Sequence, residues 1–283
     1  EVFMLILLDG PLGTELSARG VPTPAPLWSA EANLTHPDVV AAIHRDYAAA
    51  GATVHTANTF RTKRRQAGDR WEWLARRAIE IGRASIPKAH RLAGSIAPLE
   101  DCYRPDLSPE ASVARAEHRE LAQYLAALGV DLLLCETFPH VGEAVIAVDE
   151  AVATGLETWV AFSAGPNADL LTPEEIRAGA QEAVRRGARA VLVNCIPASK
   201  TRPFVEALRG VDVPFGAYAN AGAFREGLGF GFEKDGALEL YADYARTWIE
   251  AGAEIIGGCC GTGPSHLQAL AKAFHFEQAS CRS

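Results

Sequence analysis

Three of the six cysteines sit where thiol chemistry could be concentrated. Cys259 and Cys260 are adjacent inside the run Gly257-Gly258-Cys259-Cys260-Gly261, and Cys195 follows Asn194 at the end of an apolar run. Thiolates are soft ligands and favour Zn2+ over hard ions such as Mg2+. Three protein ligands leave one position of a tetrahedral ion open, which is the pattern of a catalytic zinc. The flanking glycines suit a backbone that bends sharply around a metal. Three other readings compete. A cysteine can be a small buried hydrophobe. Cys259 and Cys260 could cycle as a disulfide, although a bridge between neighbours is strained. A zinc could also be structural, which would need a fourth protein ligand that the sequence does not offer.

Two carboxylates join this group. Asp9 follows the apolar run at the start of the chain, and Glu136 follows Leu132-Leu133-Leu134-Cys135. Placed at strand ends, they can bind a ligand ammonium through charge-assisted hydrogen bonds, or serve as helix caps and structural ion pairs. Cys135 should point away from Glu136 by strand alternation, into the core. Cys102 lies in a loop near the same end and is expected to be accessible, whereas Cys281 is incidental. The eight histidines show neither H-x-x-x-H nor H-E-x-x-H spacing. His55, His140 and His266 read as structural or capping residues. Trp28, Trp71, Trp73, Trp159 and Trp248 read as core or helix-face residues.

These groups need elements that bring them together. Eight apolar runs predict strands at 5–8, 52–57, 91–97, 131–135, 158–162, 190–194, 215–218 and 254–257. Most are continuous Val, Ile and Leu, as in strands buried on both faces. Helical patterns fall between them at 37–50, 70–90, 109–128, 140–154, 173–187, 201–209, 235–251 and 264–276. Thr35-His36-Pro37, Ser108-Pro109-Glu110 and Thr172-Pro173-Glu174 mark helix starts. Gly51, Gly129, Gly187 and Gly252 mark helix ends that feed strands. This alternation predicts an α/β fold, a (β/α)8 TIM barrel in a single domain over 1–283. An open doubly wound sheet is the alternative, but Asp9-Gly10-Pro11-Leu12-Gly13-Thr14-Glu15 lacks the G-x-G-x-x-G spacing of a dinucleotide turn. In a barrel the site lies at the C-terminal ends of the strands. Asp9, Glu136, Asn194, Cys195, Cys259 and Cys260 all fall there.

Composition narrows the function. The chain has 283 residues, 48% of them hydrophobic, enough for a sizeable core. A formal net charge of −8 argues against a broad nucleic-acid surface. No apolar run reaches the roughly 18 residues a membrane span needs, so a cytoplasmic protein is expected. Six cysteines are too sparse for a disulfide scaffold. Glu1 to Phe3 precede the only methionine, Met4, and are expected to be a cloning remnant. Residues 275–283 are expected to be a frayed tail.

The sequence resembles the homocysteine S-methyltransferases, zinc-dependent (β/α)8 barrels. The likeness runs through LLDGPLGTEL (7–16), NTF (58–60), LLLCETFPHVGEA (132–144), VLVNCIP (191–197), YANAG (218–222) and WIEAGAEIIGGCCGTGPSHLQAL (248–270). It implies Zn2+ as cofactor, on Cys195, Cys259 and Cys260. It implies homocysteine contacts at Asp9, Gly10, Glu136 and Asn194, with no catalytic side chain beyond the metal centre. Two departures concern the second substrate: Ala57 stands where the family often has Thr, and YAN (218–220) replaces YPN. The loop 163–175 also differs. The implied reaction moves a methyl group to homocysteine and forms methionine. A thiol is mostly protonated at neutral pH and is a poor nucleophile, and a bound Zn2+ removes that proton. A sulfonium donor leaves as a neutral thioether and needs no general acid. The length of the chain also argues against folate, cobalamin and betaine branches. The expected donor is therefore S-methylmethionine, then S-adenosylmethionine, with betaine or a thiol redox function of Cys259/Cys260 as alternatives. The expected partners are homocysteine and this donor, with no nucleic acid and no membrane, in a monomer or small homo-oligomer.

Overall fold

The computed structural model describes residues 5–222 and 235–275. Glu1 to Met4, Cys281 and the tail beyond His275 lie outside these residues. Eight parallel strands run in sequence: β1 (Ile6–Leu7), β2 (Val54–Thr56), β3 (Arg91–Ile96), β4 (Leu132–Phe138), β5 (Glu157–Phe162), β6 (Ala190–Pro197), β7 (Phe215–Asn220) and β8 (Ile255–Gly258). They form one sheet in the order β1-β8-β7-β6-β5-β4-β3-β2. A parallel bridge between Leu8 and Val54 joins β1 to β2 and closes the ring. The expected (β/α)8 barrel is therefore the fold, in a single domain.

Alternation within each strand splits the core in two. Leu132 and Leu134 of β4 point inward with Leu8, Trp159 and Leu192. Leu133 and Cys135 point outward, against helices that contribute Leu121, Val148 and Ile176. The inner cluster ends at Cys195, Tyr218 and Cys259, so the barrel's core runs directly into the site. Gly51, Gly129, Gly187 and Gly252 all carry the positive φ expected of helix ends. The Thr172 start is a full capping box with Glu175.

Four local features differ from expectation, each for a physical reason. β4 and β6 run about three residues past their predicted ends. Register shifts between Cys135 and Phe138, and between Asn194 and Pro197, let them continue. Such bulges re-aim side chains next to sites. Thr137 and Cys195 take φ of +64° and +52° there, uncommon for non-glycine residues. Ser108 does not cap the next helix, which starts at Ala111 after Glu110; its hydroxyl donates instead to Glu143 Oε2 at 2.5 Å. A short helix, Leu12–Ala18, follows β1 and was not predicted, because two glycines and a proline read as a turn.

Candidate metal and substrate site

One cavity of about 380 Å3 occupies the C-terminal mouth of the barrel. Cys195, Cys259 and Cys260 lie on its wall, as do Asp9, Gly10 and Glu136. The sulfurs of the three cysteines lie within 4.8 Å of one another, and Cys195 Sγ is 2.7 Å from Cys259 Sγ. Local structure brings them together. The β6 bulge turns Cys195 inward. Past β8, the Cys259 carbonyl accepts from Thr262 N at 3.0 Å and from Thr262 Oγ1 at 2.8 Å, which closes a tight turn. A Cβ on Gly258 would stand 2.2 Å from Thr262 Oγ1, so only glycine fits this turn. Thr14 Oγ1 accepts from Gly261 N at 3.1 Å and ties the turn to the first loop.

The electrostatics of the trio suit a cation. Cys195 is pushed up by its neighbouring thiols and by burial. Cys260 is pulled down because Cys195 and Cys259 donate to it. The three sulfurs thus hold one negative charge comfortably but resist three. A divalent cation among them removes that repulsion and lets all three ionise. Zn–S bonds of about 2.3 Å put thiolates on one ion roughly 4 Å apart; all three sulfurs lie within 4.8 Å, and Cys195 and Cys259, at 2.7 Å, would move apart to take the ion. The donor set therefore fits a zinc ion with one position open.

Asp9 and Glu136 are buried and face the same cavity. Asp9 Oδ2 accepts from Thr56 N at 2.8 Å, and Oδ1 accepts from Thr56 Oγ1 at 3.1 Å. Burial still holds its pKa well above the ordinary value, with the Glu136 charge adding to this. Glu136 accepts from the Ser95 hydroxyl and, at 3.0 Å, from Tyr218 Oη. Burial raises its pKa too, since the two hydroxyls only partly compensate. Among the described residues no lysine, arginine or histidine lines the cavity. Two carboxylates and three thiols without a basic partner make a receptor for cations. Gly10 packs so tightly that a Cβ would stand 2.7 Å from the Tyr47 hydroxyl.

Asn194 stands apart from the other expected contacts. Its Oδ1 accepts from Thr137 N at 3.1 Å, and its Nδ2 donates to Thr137 Oγ1 at 2.8 Å. It braces the strained Thr137, which lines the cavity, while Asn194 itself does not. Cys102 lines the cavity but is 3% exposed, not accessible as expected, and burial pushes its thiol up to about 12. Trp28 is not core: it lines the cavity, stacks on Phe60 at 6.2 Å and lies 3.9 Å beneath the Arg61 guanidinium. The His140 and His266 readings hold. His140 Nδ1 caps Glu143 N at 3.1 Å, and His266 Nδ1 accepts from Gly263 N at 3.2 Å. Sequence reading missed Thr56, Ser95 and Tyr218. All three occupy the last turn of an inward strand face, a position that strand alternation marks.

Comparison with known proteins fits this geometry. Residues 6–274 match the family model described as homocysteine S-methyltransferase. The chain belongs to that family and is a methyltransferase enzyme. It is 31% identical to a homocysteine S-methyltransferase of Escherichia coli, over 94% of either chain. It is 29% identical to an S-methylmethionine–homocysteine S-methyltransferase of Pongo abelii, over 95% of this chain and 78% of that one. The metallated crystal form of the homocysteine methyltransferase MmuM from Escherichia coli superposes with a TM-score of 0.78. That match is at 28% identity and covers 94% of this chain and 96% of MmuM.

Proposed function

We propose that this enzyme uses Zn2+ on Cys195, Cys259 and Cys260 to methylate homocysteine from a sulfonium donor, S-methylmethionine first and S-adenosylmethionine second. The observation that carries this reading is the convergence of three sulfurs and two buried carboxylates in one cavity that has no basic lining. Zinc bound there supplies the positive charge that keeps the homocysteine sulfur a thiolate at neutral pH.

The remaining work falls to the protein's own residues. Asp9 and Glu136 accept hydrogen bonds from the homocysteine ammonium. Thr56, Ser95 and Tyr218 fix the directions of those carboxylate oxygens. Trp28 and Phe60 shield one side of the cavity from water. In the transfer, the homocysteine sulfur forms the new S–CH3 bond. The electron pair of the broken bond stays on the donor sulfur, which leaves as a neutral thioether. No proton is needed at the leaving group. The donor named for the Pongo abelii relative is the same sulfonium. Among the described residues no helix is long and apolar enough to cross a membrane. A reducing, cytoplasmic setting suits three free thiols.

The test is elemental analysis of reduced protein, wild type and Cys259→Ala, together with methionine formation from homocysteine and S-methylmethionine. About one thiolate-bound zinc per chain, lost together with activity in the variant, is the expected result. Reduced protein that holds no zinc but cycles a disulfide would overturn the reading. Turnover of betaine but of neither sulfonium would overturn the donor.

A further inference from the structure

Asp9 also belongs to a second group of potential ligands, whose two histidines the methyl transfer does not use. His44 comes from the helix Pro37–Ala49 and His55 from β2. One donor atom from each of Asp9, His44 and His55 lies within 4.8 Å of the other two. Asp9 Oδ2 and His55 Nδ1 are 4.0 Å apart, and two donors about 2.1 Å from one ion can span roughly 4.2 Å. His44 and His55 are fully buried and Asp9 nearly so. Both ring nitrogens of His44, and Nδ1 of His55, have no hydrogen-bond partner. The other nitrogen of His55 lies 3.1 Å from His90 Nδ1. An outer partner of this kind fixes the orientation of a ligating imidazole.

We propose that Asp9, His44 and His55 form a second divalent-cation site, and that its occupation inhibits the enzyme by taking Asp9 away from the homocysteine ammonium. Two imidazoles and one carboxylate suit Zn2+, Co2+ or Ni2+ rather than Mg2+. The imidazoles are ready to ligate. Burial lowers His44 to about 4, and burial with the neighbouring His44 and His90 lowers His55 to about 3. Each ring is therefore neutral at neutral pH and offers one nitrogen lone pair. Asp9 is the member that lines the cavity, so an ion reaches the site by the same mouth as the substrate. An ion and an ammonium then compete for one carboxylate. The inhibitory half of this proposal rests on the methyltransferase reading; the binding half does not.

The experiment is a Co2+ titration of the reduced full chain, followed by absorbance. Cobalt on the three thiols gives an intense sulfur-to-metal band, whereas cobalt on nitrogen and oxygen gives only weak visible bands. Wild type should take up two equivalents. His44→Leu and His55→Leu should each lose one and keep the intense band. Cys259→Ala should lose the intense band and keep the nitrogen and oxygen equivalent. His44→Leu removes only unpartnered nitrogens, and His44→Gln serves as the second variant if it fails to fold. In the assay, excess Zn2+ should raise the homocysteine KM about tenfold or more at constant kcat, as loss of a charge-assisted contact would. That rise should be absent in His44→Leu. One equivalent in wild type, or equal uptake by wild type and both histidine variants, would overturn the second site. If uptake behaves as expected but the protein does not turn over, the methyltransferase reading fails and the site stands. If activity is intact but uptake stops at one equivalent, the reverse holds.

Discussion

Glu136 and Glu143 are buried carboxylates on one β/α unit, yet burial leaves them in opposite states. Glu143 takes three donors: Leu99 N at 2.7 Å, His118 Nε2 at 3.2 Å and Ser108 Oγ at 2.5 Å. Burial alone would raise its pKa, but those bonds outweigh burial and hold it below the ordinary value. Glu136 takes two hydroxyls, and burial wins. The first carboxylate is saturated by its own protein. It ties the loop after β3, which carries Cys102 and Tyr103, to the helix Ala111–Ala127 and to its own helix. The second is left short of positive charge at the edge of a cavity. A buried carboxylate that is unsatisfied in the free protein is poised for a cationic ligand, whereas a satisfied one is a fastener.

The largest expected effect breaks the fastener. Glu143→Ala leaves the buried, neutral His118 and the Leu99 N–H without their acceptor and frees three segments at once, which should cost about 1–3 kcal/mol of stability for each buried donor left unpaired. Urea denaturation checks this. Unchanged stability with lost activity would place Glu143 in the site and erase the contrast. Glu136→Gln should do the reverse. Losing the charge should lower kcat/KM for homocysteine about 10- to 100-fold, the worth of one charge-assisted contact. Stability should hold or rise. A carboxyl whose folded pKa is raised binds more protons folded than unfolded, so its contribution falls as pH rises above the unfolded value. Glutamine has no such penalty. The gain of Glu136→Gln over wild type should therefore grow as pH rises above the ordinary glutamate range and level off only once pH passes the raised folded-state pKa. Thermal melts of metal-free protein across that range read it out; a loss of stability at neutral pH would contradict the account.

The contrast also shows what a sequence can reveal. Strand positions and the thiol trio were legible because each needs only a residue type at the end of an apolar run. Asp9 and Glu136 followed from the same rule. Ser108 was misread because Ser-Pro-Glu satisfies a local capping rule, whereas the Glu143 carboxylate, distant in sequence, offers a stronger partner. The family resemblance implies a homocysteine contact at Asn194, but the β6 bulge turns Asn194 toward Thr137 and gives Cys195 the cavity. Bulges leave no mark in the hydrophobic pattern. Trp28 opens a short 3-10 helix (Trp28–Glu31) whose placement is set by tertiary packing. The Asp9, His44 and His55 grouping joins three elements and has no sequence spacing at all.

The smallest expected effect sharpens the contrast at a single atom. Among the described residues Tyr218 Oη is one of two hydroxyls that donate to Glu136 and offset its burial. Tyr218→Phe removes that hydroxyl and keeps the ring that packs beside Cys195 and Cys259. The hydroxyl stabilises the ionised carboxylate, so its removal should raise the Glu136 pKa further. If Glu136 holds the homocysteine ammonium as proposed, binding needs the carboxylate ionised and is lost as pH falls through that pKa. The acid limb of kcat/KM should therefore move to higher pH, by about one unit for a bond worth roughly 1.5 kcal/mol. Well above the limb the variant and the wild type should differ by less than about threefold, since the carboxylate is ionised in both. A uniform loss across all pH values, with no shift of the limb, would mean that the hydroxyl touches substrate directly and that Glu136 does not depend on it.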